Sequence, residues 1–199
     1  MLRKTVLISA VVALVMATGN AKGMHGGSKG NSMGHHGSSE SITKDDANIT
    51  LIELTDTQKE DLVFMVEEEK VARDVYTHLY NTYGARIFKN IAKSEEKHVG
   101  AIQKLIEKYT LEVPSTLDDA GVFENDELQA LYDASIAKGE ASLKDALTVG
   151  VEIEELDISD LENLMSADEV PADFEKVYGK LLKASYNHLN AFNRQLARQ

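Results

Sequence analysis

Ser94-Glu95-Glu96-Lys97-His98 lies near the middle of a long amphipathic stretch. Glu95 and His98 are three residues apart, so on an α-helix their side chains share one face and can grip a single metal ion. That face continues through Ile87, Ile91, Ile102, Leu105 and Tyr109, which makes it the inward one. A carboxylate and an imidazole inside an apolar stripe need partners, because an ion taken out of water unpaired is strongly penalised.

Working outward, three more helical patterns carry the same kind of interruption. Upstream, Thr55 or Thr57 can cap a helix, with Gln58 or Glu60 placed for a capping box. Its inward positions are Leu62, Val63, Val66, Glu69, Ala72, Tyr76, Leu79, Tyr80 and Tyr83, while Glu67, Glu68, Lys70, Arg73 and Asp74 are expected mostly to face outward. Gly84 ends this helix, and a short turn leads into the second, 86 to about 109, so the two should pack antiparallel. A loop over 110–122 contains Pro114. Asn125 then caps a short helix, 126 to about 138, ending at Gly139. The third main helix, 141 to about 165, points Leu143, Ala146, Leu147, Gly150, Val151, Glu154, Ile158, Leu161 and Met165 inward. Pro171 opens the fourth at its first turn, with Phe174, Val177, Tyr178, Leu181, Leu182, Ser185, His188 and Phe192 inward. No strand pattern of useful length occurs, although 49–54 suits an extended segment.

Side by side, the four main helices offer Glu69, Glu95 with His98, Glu154, and His188, each near the middle of its helix. Three ionised carboxylates buried without partners would cancel a domain's whole stability, about 5–15 kcal/mol. The inward stripes contain no Lys or Arg, so a proton or a bound cation must neutralise the acids, and the nearby histidines favour the cation. Tyr76 is expected in the core or supporting the ligands from behind. His78 lies off the stripe and is expected at the surface, and Glu96, Glu152, Glu155 and Asp157 on a solvated face.

The chain of 199 residues carries 21 Lys plus Arg against 33 Asp plus Glu, a formal charge of −12, and no cysteine. Such acidity argues against nucleic acid and anionic membranes and suits cations. The missing cysteines exclude disulfides, thiolate metal sites and thiol catalysis, so any metal must be held by oxygen and imidazole nitrogen. Residues 1–21 read as a secretory signal, with Arg3 and Lys4 ahead of an apolar run too short to span a bilayer and small residues up to Ala21. The mature protein is therefore expected to be exported, periplasmic or extracellular, without a membrane span. Residues 22–50 are rich in Gly, Ser, His and Met, as in Met24-His25 and Met33-Gly34-His35-His36, and suit a flexible tail or a weak copper site. The folded domain is expected over 51–199.

The pattern Glu69-x-x-Ala72-x-x-x-Tyr76, Glu95-x-x-His98, Glu154 and His188 resembles the ferritin-like superfamily. Within it, Arg86-Ile87-Phe88-Lys89-Asn90-Ile91-Ala92 and Ile153-Glu154-Glu155-Leu156-Asp157-Ile158 look like an uncharacterised prokaryotic branch, a domain of unknown function. The resemblance implies an all-α, antiparallel four-helix bundle with an extra short helix between main helices two and three. It also implies a dinuclear site held by Glu69, Glu95, His98, Glu154 and His188. Iron is the first choice of metal, with manganese or zinc as alternatives, and the partners implied are metal ions and small oxidants. The chemistry implied is oxidoreductase chemistry on ferrous iron, dioxygen or peroxide, in a monomer or homodimer. One departure stands out: Ser185-x-x-His188 replaces the Glu-x-x-His that the resemblance leads one to expect. Glu155 or Asp157 are the candidates to compensate. The alternative is a non-catalytic protein that sequesters metal at a degraded or mononuclear site.

Overall fold

The computed structural model describes residues 52–199. The expected export signal, the Gly/Ser/His/Met-rich segment and residues 49–51 lie outside them. The described residues form five α-helices and no strand: α1 (Asp56–Tyr83), α2 (Arg86–Lys108), α3 (Asp126–Gly139), α4 (Leu143–Met165) and α5 (Ala172–Leu196). None of these helices is long and apolar enough to cross a membrane.

Local chemistry sets the boundaries. The Thr55 hydroxyl accepts from the Gln58 N–H at 3.2 Å and the Gln58 side chain accepts from the Thr55 N–H at 2.9 Å, a complete capping box. Gly84 ends α1 in the left-handed region, φ +66°, where a side chain would be strained. Asn125 accepts from the N–H groups of Glu127 and Leu128 to start α3. Ser142 caps α4, so that helix opens slightly later than the pattern suggests, and Pro171 occupies the N-cap of α5 rather than its first turn.

The long helices pack in a closed order, with α1 against α2, α2 against α5, α5 against α4 and α4 against α1, while α3 lies on α1 and α4. Their interior divides into two apolar clusters. One gathers Val75 and Leu79 of α1, Phe88 and Ile91 of α2, Leu147 and Ile153 of α4, and Phe192 of α5. The other gathers Leu62 and Val66, Val99 and Ile102, Leu161, and Tyr178 and Leu181. Helices α1 and α5 run from the second cluster to the first, and α2 and α4 run the other way. Every packed pair of long helices is therefore antiparallel. Between the clusters, all four helices place polar residues at one level. At the first cluster's end, α4 and α5 approach closely: a Cβ on Gly150 would stand 2.5 Å from the Phe192 ring. That ring packs on Tyr76 and Phe88.

The outward flank expected for α1 is a correction. Glu67, Glu68, Lys70 and Asp74 are all buried, because residues 109–125 and α3 fold across that side. Lys70 Nζ donates to Asp74 Oδ2 at 2.8 Å and to the carbonyls of Asp119 and Val122 at 2.8 and 3.0 Å, and stands 3.9 Å from the Phe123 ring centre. The Glu67 carboxylate accepts from the N–H groups of Glu124 and Asn125 at 2.7 and 3.2 Å. Arg73 reaches Asp74, Glu96 and the Leu117 carbonyl. The charges that suggested solvent instead pin the connection to the bundle. Lys70→Met leaves Asp74 and two loop carbonyls short of a donor and should destabilise the protein by about 3 kcal/mol. Denaturant unfolding would measure the loss, and proteolysis within 109–125 should accelerate.

Candidate metal centre

The polar layer places all five expected residues together. Glu69 comes from α1, Glu95 and His98 from α2, Glu154 from α4 and His188 from α5. His98 Nδ1 lies 2.6 Å from Glu95 Oε2 and 3.1 Å from Glu69 Oε2. His188 Nδ1 lies 2.9 Å from Glu95 Oε1 and 3.4 Å from Glu154 Oε2. The two imidazole rings stand 5.8 Å apart, tilted by 23°. Glu95 therefore sits at the centre, one oxygen turned to each histidine. Glu69 flanks one side and Glu154 the other.

Burial and charge compete here. Burial raises the Glu69 pKa, His98 opposes it, and the result is about 7. Glu154 reaches about 7 in the same way, raised by burial and opposed by His188. Glu95 is also pushed up by burial, but the two histidines together hold it below the ordinary carboxylate value. The histidines mirror this. Burial lowers His98, yet Glu69 and Glu95 outweigh it and lift the pKa to about 11, and Glu154 and Glu95 lift His188 to about 10. In the absence of metal, imidazolium protons would carry the positive charge that the carboxylates require.

The donor set is of the chemical kind that would hold a cation. The His188 contacts are short but poorly directed, and His188 Nδ1, Glu95 Oε1 and, on the other side, Glu69 Oε1 are buried without a hydrogen-bond partner. Buried polar atoms left in this way are rare and need an explanation. Two groups of ligand atoms lie within 4.8 Å of one another, Glu69 with Glu95 and His98, and Glu95 with Glu154 and His188. Oxygen and imidazole ligands at about 2.1 Å from a metal fall roughly 3 Å apart at right angles, close to the separations here. Glu95 belongs to both groups.

Behind these residues, Tyr76 is fully buried and its hydroxyl donates to Glu154 Oε1 at 2.8 Å, which leaves Oε2 on the side of His188. Asp157 is buried, not solvated, and its Oδ1 has no partner. Burial, then the charges of Glu69 and Glu154, raise its pKa well above the usual range. Glu155 is exposed, since one residue along a helix turns the side chain by about 100°, and takes no part. Ser185 is buried, and its hydroxyl donates to the Leu181 carbonyl of its own helix at 2.9 Å. His78 lies away from the cluster and contacts Glu140 at 2.8 Å. Two acids escaped the sequence reading. Glu68 looked solvated because its packing against α4 and α3 was not foreseen. Asp160 went unnoticed, although it follows Glu154 and Asp157 at a three-residue spacing on α4.

A helical protein with a buried, paired Glu/His layer has relatives. The chain belongs to the family described as an uncharacterized protein domain (DUF2202), whose model matches residues 58–199. It is similar to the uncharacterized protein MJ0754 of Methanocaldococcus jannaschii, 46% identical over 143 residues, covering 72% of this chain and 77% of the relative. The crystal structure of hypothetical protein MJ0754 from Methanococcus jannaschii superposes with a TM-score of 0.72 at 43% identity. It covers 76% of this chain and 86% of that one.

The shared position of Glu95 makes the acids unequal. Glu95→Gln should abolish tight Co²⁺ binding altogether. Glu69→Gln or Glu154→Gln should lower the stoichiometry from about two to about one per chain, read by equilibrium dialysis with elemental analysis.

Proposed function

We propose that this chain is an exported ferritin-like metalloprotein that holds two cations, one on each side of Glu95, and acts on ferrous iron, dioxygen or peroxide. Iron is the metal of choice, with manganese or zinc as alternatives. The observation that carries the reading is Glu95 itself, a buried carboxylate whose two oxygens face two different histidines, each backed by a second carboxylate. The helix directions support the ferritin-like part of the reading. Two antiparallel pairs, α1 with α2 and α4 with α5, are joined by one long crossover, as in that class of bundle. Export rests on the amino-terminal pattern over 1–21.

Glu69 and His98 would hold one cation, Glu154 and His188 the other, and Glu95 would bridge them. Bound iron or manganese would supply electrons and polarise an oxygen species, whereas zinc, which has no redox chemistry, would only polarise it. The chain's own contributions are positional. Tyr76 fixes the Glu154 carboxylate through its hydrogen bond. The apolar clusters above and below keep the layer dry, which strengthens every charge interaction inside it. Both imidazoles turn Nδ1 toward the carboxylates, so the protons they carry without metal are the ones a cation would displace.

A second reading, metal holding without turnover, is favoured by Ser185. Its hydroxyl is committed to the Leu181 carbonyl, so α5 supplies one ligand where Glu-x-x-His would supply two. Aerobic mixing of the metal-free protein with Fe²⁺ separates the readings. The catalytic one predicts that ferric absorbance appears faster than in protein-free buffer, and that Glu95→Gln removes the acceleration. Tight binding without acceleration would leave the holding reading standing.

A further inference from the structure

Glu68 is 4% exposed, and its carboxylate meets no hydrogen-bonding group other than the neighbouring carboxyl of Asp160. It adds nothing to the two ligand groups centred on Glu95. The neighbouring buried cation does not serve it. All three donors of Lys70 are committed, to Asp74 and to the carbonyls of Asp119 and Val122. As a structural element, a buried acid facing only other acids is unfavourable, and an apolar residue of similar volume would pack at lower cost.

Its surroundings suggest a use. Glu68, Glu69, Glu95, Glu154 and Asp157 line one narrow cavity, with room for about one water-sized occupant. On α4, Glu154, Asp157 and Asp160 follow one another at three-residue intervals, so they share a face and rise by about 4.5 Å per step. Asp160 is 5% exposed and pairs with Glu68 outside the lining of that cavity, while Asp157, 7% exposed, lines it together with Glu68 and the ligands. The strongest charges acting on Glu68 are those of Asp160, Asp157 and Glu69, all acidic.

We propose that Glu68, Asp157 and Asp160 form an inlet between α1 and α4 through which a divalent cation reaches the Glu/His cluster. The carboxylates are too dispersed to join either close ligand group, which suits brief transfer rather than storage. They replace part of a hydrated cation's water shell with oxygen ligands as it passes into the dry layer. Asp160 receives it, Glu68 and Asp157 hand it on through the cavity, and Glu69 and Glu154 are the first residues of the cluster it meets. The inlet rests on the proposed metal site, and the test separates the two.

The test is stopped-flow uptake of Co²⁺ by the metal-free full chain, followed through quenching of tyrosine fluorescence, with affinity and stoichiometry from equilibrium dialysis. An inlet lowers the barrier in both directions. Glu68→Gln and Asp160→Asn should therefore slow association and dissociation alike, by roughly tenfold, with affinity and stoichiometry unchanged. A merely structural role would not produce that pairing, and Asp160→Asn, outside the cavity lining, supplies the result should Glu68→Gln fold poorly. Rates equal to those of the parent chain in both variants would overturn the inlet while leaving the metal site intact. So would a loss of affinity carried by dissociation alone, which would make Glu68 a ligand. Failure of the parent chain to bind Co²⁺ would overturn both.

Discussion

The contact of one carboxylate with two imidazoles, Glu95 with His98 and His188, is the interaction on which the rest of the interior depends. Three buried glutamates cannot remain ionised beside one another without positive charge, and protons or cations are the two means available to this layer. The histidines bring the same carboxylates within reach of both. The strained distribution of pKa values, Glu69 and Glu154 near 7 against histidines near 11 and 10, expresses a cluster that is one positive partner short of comfort. Under the proposed function, metal binding and proton binding would be alternatives for one set of lone pairs.

The fold serves this layer by flanking it. Neither apolar cluster takes residues from 67–70 on α1, 93–98 on α2, 154–160 on α4 or 183–190 on α5. The two clusters flank the layer on either side. The connection over 109–125 with α3 covers the α1 flank and is fastened by Lys70, Glu67 and Arg73. Leu131 of α3 borders the cavity that Glu68 lines with residues of α4. The proposed inlet would thus depend on how α3, within the crossover between α2 and α4, packs on α1 and α4.

The helices were legible in the sequence because their signals are local. Gly84, Asn125 and the Thr55–Gln58 box sit where the expected boundaries fall, and a stripe at helical spacing marks each inward face. Glu69, Glu95, Glu154 and His188 were visible as interruptions of those stripes. What stayed hidden depended on tertiary contacts. Nothing in the string Glu67-Glu68-Glu69-Lys70 says that a loop more than forty residues away supplies N–H groups and carbonyls to two of them. Phe88 and Met65 are fully buried although the expected stripes passed beside them, because a four-helix interior takes in a wider arc than a single seam. Asp157 and Asp160 were obscured by Ile158 and Leu161, which share the same broad face.

The central claim is that two cations flank Glu95, and anomalous diffraction from crystals of the full chain grown with Mn²⁺ tests it most directly. The account predicts two peaks about 3.5–4 Å apart, one among Glu69, Glu95 and His98 and the other among Glu95, Glu154 and His188. A polar layer with no peak at saturating Mn²⁺, its carboxylates still paired to imidazolium, would contradict it.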